Sequence, residues 1–320
     1  MEVDKKNHGG AYFDAMDDVQ TSTMLNRISI RNLAYGMAVV VGLLGCTLLD
    51  PAEDIPTYLI VDGLNFTPTP EQGTASIAVT DVWAYSTTDV LGIFPLPAII
   101  PIFPQDHVEG PVRLLPGIRE NGISDSRSPY PFYTAMDVDI DGAPGERDTL
   151  QLSFSWVDDV HHLSVEDFEN SNVFSDESGT AAVLERVTNA ADVFEGDGSA
   201  RVVLTPDASL MRARTLEQEY QIQSGVPVFL EMNYRCDQGF LVGLYAFRNG
   251  ASTRYPALVL SSTVPTTGAD AEWNKVYVDL STVVGANPNA DHFEVYFECL
   301  LADGSDRAEI GLDNLRILTY

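Results

Sequence analysis

Cysteine and histidine are the residue types best suited to chemistry in this chain, and both are scarce. The 320 residues include three cysteines and five histidines. The sequence has no G-x-S-x-G, H-E-x-x-H or phosphate-loop motif, which are the signatures of several hydrolase and nucleotide-binding classes. Acids are abundant, but their spacing selects no carboxylate pair for glycoside hydrolysis. The sequence therefore predicts a protein that is not an enzyme.

Cys46 is the cysteine whose surroundings indicate a specific reaction. Arg27 and Arg31 precede an almost wholly apolar stretch over 33–44. This stretch has the length of a signal-peptide core and is shorter than the roughly 20 apolar residues of a transmembrane helix. It ends in LLGC at 43–46, which resembles the lipobox of bacterial lipoproteins. The resemblance implies cleavage before Cys46, lipidation of its thiol and anchoring through several acyl chains.

This interpretation divides the N-terminal part of the chain into three segments. Residues 1–23 are polar and acidic where a basic stretch is expected, so we interpret them as a misassigned extension. The signal peptide then covers 24–45, and 46–57 forms a short acidic tether containing prolines. The predicted location is the bacterial outer membrane, with the periplasmic and cell-surface faces both open as alternatives.

The remainder of the chain is expected to be all-β. Short runs of alternating polar and apolar residues are separated by Gly, Pro and Asn turns, and no window has a helical period of useful length. The pattern predicts two β-sandwich domains: an Ig-like or related sandwich at 58–157 and a jelly roll at 160–320.

Sequence segments in the first half carry a resemblance to a known class. They resemble the membrane-proximal β-sandwich of Bacteroidota outer-membrane lipoproteins, which implies location and fold rather than activity. The segments are DVWAY at 81–85, LPGI at 115–118, NGI at 121–123 and YPF at 130–132.

The second half resembles the galactose-binding-like jelly roll of carbohydrate-binding modules. The resemblance implies a sheet face that often binds glycans, and a structural Ca²⁺ for which Glu169 and Asp313 are the nearest ligands by position. An acid pair without an ion is the alternative. The segments that carry this resemblance are FE at 168–169, GSA at 198–200, WNKV at 273–276 and IGLDNL at 310–315.

Strand parity selects candidate glycan-binding residues among the aromatic candidates at 220, 234, 245, 255 and 296. In the strand at 292–299, Glu294, Tyr296 and Glu298 share one face, opposite three apolar residues and Cys299. In the strand at 229–236, the polar residues again share a face, and Tyr234 falls on the apolar side. We expect the polar residues of both strands to form one sheet face. Its composition favours a plain solvated face, and sugar binding by the same face is the functional alternative. The residues of this predicted face are Glu231, Asn233, Arg235, Glu294, Tyr296 and Glu298.

Cys236 and Cys299 both fall on apolar sides at strand ends. If their strands are neighbours, a disulfide is geometrically feasible in an oxidising compartment. Two buried free thiols are the alternative.

The net charge of the chain limits the classes of partner that it is expected to bind. The formal net charge is -29 at pH 7, and such a surface repels nucleic-acid phosphates. The expected partners are the membrane, through the lipid anchor, and a polysaccharide or other envelope proteins. The leading hypothesis is a non-catalytic, lipid-anchored protein with a glycan- or protein-binding jelly roll. The alternatives are a jelly-roll glycoside hydrolase or lyase, and a purely structural envelope protein.

Overall fold

The computed structural model describes residues 54–103, 110–215 and 219–320. Cys46, the predicted signal peptide and most of the predicted tether therefore lie outside the described residues. Pro56–Tyr320 form one compact unit. Within the described ranges, no helix combines the length and the apolar character needed to cross a membrane.

Eight of the described strands build a first β-sandwich. They are β1 (Thr57–Phe66), β2 (Asp81–Tyr85), β3 (Val90–Pro95), β4 (Ala98–Ile102), β5 (Val112–Arg119), β6 (Arg127–Pro129), β7 (Met136–Val138) and β8 (Arg147–Phe154). One sheet has the order β4-β1-β8, in which β1 and β8 are parallel. The other has the order β3-β2-β5-β6, with β7 also paired to β5. A 3₁₀ turn at Pro70–Gln72 follows β1.

The next eleven described strands form the jelly roll. They are β9 (His161–Glu166), β10 (Phe174–Asp176), β11 (Glu185–Val187), β12 (Ser199–Leu204), β13 (Leu210–Thr215), β14 (Val228–Cys236), β15 (Phe240–Arg248), β16 (Ala251–Leu260), β17 (Asn274–Asp279), β18 (His292–Leu300) and β19 (Ala308–Thr319). A short helix α1 (Ser281–Ala286) follows β17. The predicted all-β fold with two sandwiches is confirmed.

The jelly roll has two sheets with an apolar core between them. The outer sheet has the order β10-β13-β18-β15-β16, and the inner sheet has the order β11-β12-β19-β14-β17, with β9 paired to β19. Alternate residues of each strand enter this core, because successive side chains of a strand point to opposite faces. Phe293, Val295 and Phe297 of β18 do so, as do Leu230 and Met232 of β14.

The first sandwich packs on the inner sheet, and we call this contact the seam. Phe229, Tyr277 and Leu318 of the inner sheet are buried within the core of the first sandwich. The Tyr130 ring lies 5.3 Å from that of Phe229 and 4.8 Å from that of Tyr277, as measured between centroids. Aromatic pairs at such distances add to the free energy of area burial. The apolar core of the first sandwich therefore extends onto the inner sheet of the jelly roll, and it is distinct from the core between the two jelly-roll sheets.

Candidate functional site

The residues of the predicted polar face lie on two different sheets. Within each strand the predicted parity is right: the core takes the apolar residues, including Tyr234. However, β14 pairs with β17 and β19, whereas β18 pairs with β13 and β15. The polar sides of β14 and β18 therefore point away from each other across the core. The prediction of one shared face is wrong, because sheet membership depends on long-range pairing that strand parity does not specify.

The polar residues of β14 face the first sandwich or its margin. Glu231 is fully buried, and the Asn233 side chain donates a hydrogen bond to Ser76 Oγ at 2.9 Å. Arg235 donates to Asp192 at 2.6 Å and to Glu309 at 3.2 Å. Asn233 and Arg235 thus have structural partners and lie apart from the candidate residues of β18.

The two jelly-roll cysteines are free, so the disulfide alternative is wrong. Cys236 and Cys299 are buried in the inner and outer sheets respectively, on strands that are not neighbours. The Cys236 thiol lies 3.3 Å from the Ser261 carbonyl oxygen, to which it donates. Burial raises the pKa of Cys236 to about 12 and that of Cys299 to about 11. Both thiols are therefore protonated and unreactive at neutral pH.

The predicted calcium ligands lie near each other but are engaged by protein donors. Asp313 accepts hydrogen bonds from Ser199 Oγ at 2.5 Å and from the Glu195 N–H at 3.3 Å. Glu169 accepts from the Asp197 N–H. Burial raises the pKa of Asp313 to about 6, and the Glu169 charge adds to this effect. Among the described residues, no group of three or more His, Cys, Asp or Glu is placed to hold a metal ion. This arrangement does not provide the six to eight oxygens that Ca²⁺ takes, and calcium stays a prediction.

An aromatic row crosses the solvent side of the outer sheet. Its members are Tyr296, Tyr245, Phe247 and His292. The ring centroids of Tyr296 and Tyr245 are 5.1 Å apart, and those of Tyr245 and Phe247 are 6.5 Å apart. The rings of Phe247 and His292 stack at 4.3 Å. Tyr245, Phe247 and His292 are half-buried, so part of each ring faces solvent.

Tyr296 supports this row from below rather than forming its surface. The Tyr296 side chain is only 1% exposed. It lies over Gly243 of β15, where a Cβ would come within 2.6 Å of the ring. The guanidinium carbon of Arg254 lies 4.3 Å from the ring centroid on β18. Tyr296 therefore lies beneath Arg254 and beside Tyr245, and it is not an exposed stacking platform.

Three arginines and three carboxylates surround the aromatic row. Glu298 accepts hydrogen bonds from Arg212 at 2.5 Å and from Arg254 at 2.7 Å. Burial acts to raise the pKa of Glu298, but the hydrogen bonds and charges of these arginines outweigh it and lower the pKa. Arg214 lies 3.5 Å from Glu294. Burial raises the pKa of Glu294, although the Arg214 charge opposes the shift.

Glu177, beside the end of β10, completes this group. It lies 3.8 Å from Arg214, whose guanidinium is also 5.2 Å from the Tyr245 ring centroid. Burial, followed by the hydrogen bond with Glu177, raises the pKa of Tyr245 to about 12. The Tyr245 hydroxyl is therefore a neutral donor throughout the physiological range.

The structure joins the predicted residues of β18 with residues that the sequence analysis did not select. Phe247, His292, Glu177 and the three arginines were missed, and Tyr245 was one of five aromatic candidates. Parity in FLVGLYAF would place Tyr245 and Phe247 on the same side as Gly243. No local signal, however, indicates that β15 lies between β18 and β16. We call this set the aromatic face; it comprises the aromatic row with Glu177, Arg212, Arg214, Arg254, Glu294 and Glu298.

Comparisons with known proteins find similarity in solved structures. No protein-family model and no curated protein matches the sequence. The K1 cleaved adhesin domain of Lys-gingipain from Porphyromonas gingivalis W83 is similar at 16% identity and a TM-score of 0.35, over 49% of this chain and 97% of that chain. The family 30 carbohydrate-binding module of a Clostridium thermocellum cellulosomal cellulase has 11% identity and a TM-score of 0.35, over 49% and 96%. A family 29 carbohydrate-binding module from Piromyces equi has 11% identity and a TM-score of 0.33, over 51% and 92%.

Proposed function

We propose that this chain is a non-catalytic glycan-binding protein that holds a polysaccharide on the aromatic face. We further propose that Cys46 carries the lipid that anchors it to the bacterial outer membrane. The aromatic face is the observation that supports binding, and the signal-like segment before Cys46 supports the anchor.

The chemistry of the aromatic face suits a neutral or weakly charged sugar polymer. Tyr245 and Phe247 offer partly exposed ring surface, against which the C–H faces of a sugar pack. Arg212 and Arg254, both bound to Glu298, hold their planar N–H groups in fixed positions beside the rings. Ligand sites commonly combine such apolar surface with a few fixed polar groups that orient the ligand. Groups that are already ordered cost less conformational entropy on binding.

The buried acids support binding rather than hydrolysis. Glu166, which has a raised pKa through burial, accepts backbone N–H bonds from Phe168 and Val173, each at 2.7 Å. Asp313 likewise receives the Ser199 hydroxyl. These carboxyls hold loops in place, so we assign them to the fold and not to a pair of catalytic acids.

Binding to immobilised polysaccharides is the test, with Tyr245→Ala and Phe247→Ala as the variants. Each variant removes exposed ring surface, and we expect binding to weaken about tenfold, which corresponds to ~1.4 kcal/mol. The control is Tyr58→Ala on the first sandwich, another half-buried tyrosine, with Arg147 5.4 Å from its ring centroid. Calorimetry with soluble oligosaccharides gives the affinities.

Two results would contradict the binding proposal. One is an absence of binding to every polysaccharide in a panel of plant, algal and bacterial glycans. The other is release of new reducing ends from a bound glycan, which would favour the jelly-roll enzyme. The anchor has a separate measurement: the proportion of a Cys46→Ala variant that remains in the membrane fraction, which we expect to fall.

A further inference from the structure

A groove of about 650 Å³ lies at the seam, on a different part of the molecule from the aromatic face. Pro129 and Pro131 of the first sandwich form one wall. Val226, Pro227 and Phe229, at the start of β14, form the other wall. We call this site the proline groove. Four of these side chains are half-buried and Phe229 is buried, so the groove offers apolar surface without a free aromatic platform.

The walls of the proline groove are fixed relative to each other. Phe229 packs edge-on against Phe132, with 6.0 Å between ring centroids, as well as against Tyr130. The Tyr320 hydroxyl donates to the Pro131 carbonyl oxygen. A groove whose walls are fixed by core packing needs little ordering when a ligand enters, which lowers the entropic cost of binding.

Two carboxylates stand at the groove, one from each sandwich. Glu120 follows β5 and accepts a hydrogen bond from Ser128 Oγ at 2.6 Å. Asp279 ends β17 and accepts from the Ser281 N–H at 2.8 Å. Asn121 links the two sides: its N–H donates to the Tyr277 carbonyl at 2.8 Å, and its side-chain oxygen accepts from the Asp279 N–H at 2.9 Å. Among the described residues that line the groove there is no Lys, Arg or His.

We infer that the proline groove binds an extended segment of a basic partner protein, with apolar side chains on the prolines and a Lys or Arg between Glu120 and Asp279. An extended segment that contains proline loses little conformational freedom on binding, which favours such a segment over a flexible one. The formal net charge of -29 also favours the approach of a basic partner.

The same charges disfavour other occupants. A second copy of this chain would bring another -29 charge to the contact. An acyl chain would desolvate the two carboxylates without pairing them. A glycan would find no exposed aromatic ring among the described lining residues.

Fluorescence anisotropy with a labelled peptide of alternating proline, leucine and arginine tests this inference on the full chain. We expect micromolar binding that weakens as salt is added, and no binding of the same peptide with glutamate in place of arginine. The double variant Glu120→Gln/Asp279→Asn should weaken binding at least tenfold. The control Asp139→Asn/Asp303→Asn removes the same formal charge from exposed positions elsewhere and should leave the affinity within about twofold.

Val226→Asp places a charge on the apolar wall and should abolish peptide binding, while a circular dichroism spectrum and a cooperative urea transition like those of the wild type show that the variant is folded. Failure of the arginine peptide to bind the wild type would overturn the inference, as would equal weakening by the two double variants. A concentration-dependent dimer in sedimentation, lost in Val226→Asp, would also overturn it by assigning the groove to a second copy.

Discussion

Lys275 is an ionisable residue enclosed completely within the seam. Its side chain is 3% exposed, and its Nζ lies 2.9 Å from Glu231 Oε2. Arg316 donates to the same oxygen at 3.0 and 2.7 Å, and the Tyr130 hydroxyl donates to the other oxygen at 2.7 Å. Burial lowers the pKa of Lys275 to about 8, although the Glu231 charge opposes the shift. One carboxylate therefore balances two buried cations.

Substitutions in this triad should have very unequal effects. Glu231→Gln leaves Lys275 and Arg316 buried without a counter-charge, and we expect it to reduce the free energy of unfolding by about 3–5 kcal/mol. Lys275→Met keeps the apolar stem and leaves the balanced pair of Glu231 and Arg316. It should therefore reduce the free energy of unfolding by less than about 1.5 kcal/mol, or increase it. Urea unfolding with linear extrapolation measures both.

The pH dependence of unfolding provides an independent readout for the same pair of variants. The pKa of Lys275 is about 8 when folded and 10.5 without the fold, so the unfolded state binds more protons between these values. The contribution of Lys275 to stability therefore rises as pH increases from 8 towards 10. Lys275→Met should lack this rise. An unchanged rise in Lys275→Met, or a larger loss than in Glu231→Gln, would show that the triad is incorrectly assigned.

At the scale of elements, the junction of β15, β16 and β18 determines the shape of the aromatic face. The register of β15 against β16 shifts between Val242 and Gly243, and Gly243 lies opposite Tyr296 on β18. A Cβ at Gly243 would lie 2.4 Å from the Tyr255 carbonyl oxygen as well as 2.6 Å from the Tyr296 ring. The absent side chain thus lets the Tyr296 ring lie flat beneath Arg254.

Gly243→Ala should disturb this junction and, with it, the proposed glycan binding. The carbonyl of Tyr255 belongs to a paired strand and has little freedom to move, so we expect a loss of about 1–3 kcal/mol in the free energy of unfolding. Gly285→Ala in α1 is the matched control, because a Cβ there meets no atom within 4 Å. Thermal and urea unfolding would compare the two, and equal stability of both variants would contradict this account.

The elements also show which parts of the site the sequence could predict. Alternation within a strand is local, and it correctly separated Glu294, Tyr296 and Glu298 from the core of β18. The burial of Tyr296 was not predictable from alternation. It results from Arg254, which belongs to β16 and reaches over the Tyr296 ring from beyond the intervening strand β15. The burial of Asn233 likewise results from Ser76, on the first sandwich. Predictions that needed only strand parity were right, and those that needed to identify the neighbouring strand were wrong.

At the scale of the whole molecule, the seam makes the two sandwiches mutually dependent. If the jelly roll were separated, Phe229, Tyr277 and Leu318 would lose the core that now buries them. The charged side chains of Glu231, Lys275 and Arg316, which the first sandwich now buries, would also become exposed to solvent. We therefore expect that the predicted boundary between residues 157 and 160 does not separate two independently folding modules, even though the chain passes from one sandwich to the other there.

Unfolding of the full chain should accordingly occur in a single transition. Trp156 is buried in the first core, and Trp273 directly precedes β17 of the inner sheet. The double variants Trp83→Phe/Trp273→Phe and Trp83→Phe/Trp156→Phe each keep one of these two tryptophans, and the fluorescence of both variants should change at the same urea concentration. Residues 160–320 expressed alone should aggregate or bind hydrophobic dyes. Separate transitions, or a stable and soluble isolated jelly roll, would show that the seam couples the sandwiches only weakly.

The seam also determines which side of the jelly roll is covered by the first sandwich. The first sandwich, which contains Thr57 at the start of β1, covers the inner sheet, so the aromatic face lies on the far side of the jelly roll. If several copies are anchored on one surface, as proposed, their aromatic faces become neighbours on that surface. A long polymer that contacts several copies at once would then dissociate slowly through avidity, even where each single contact is weak.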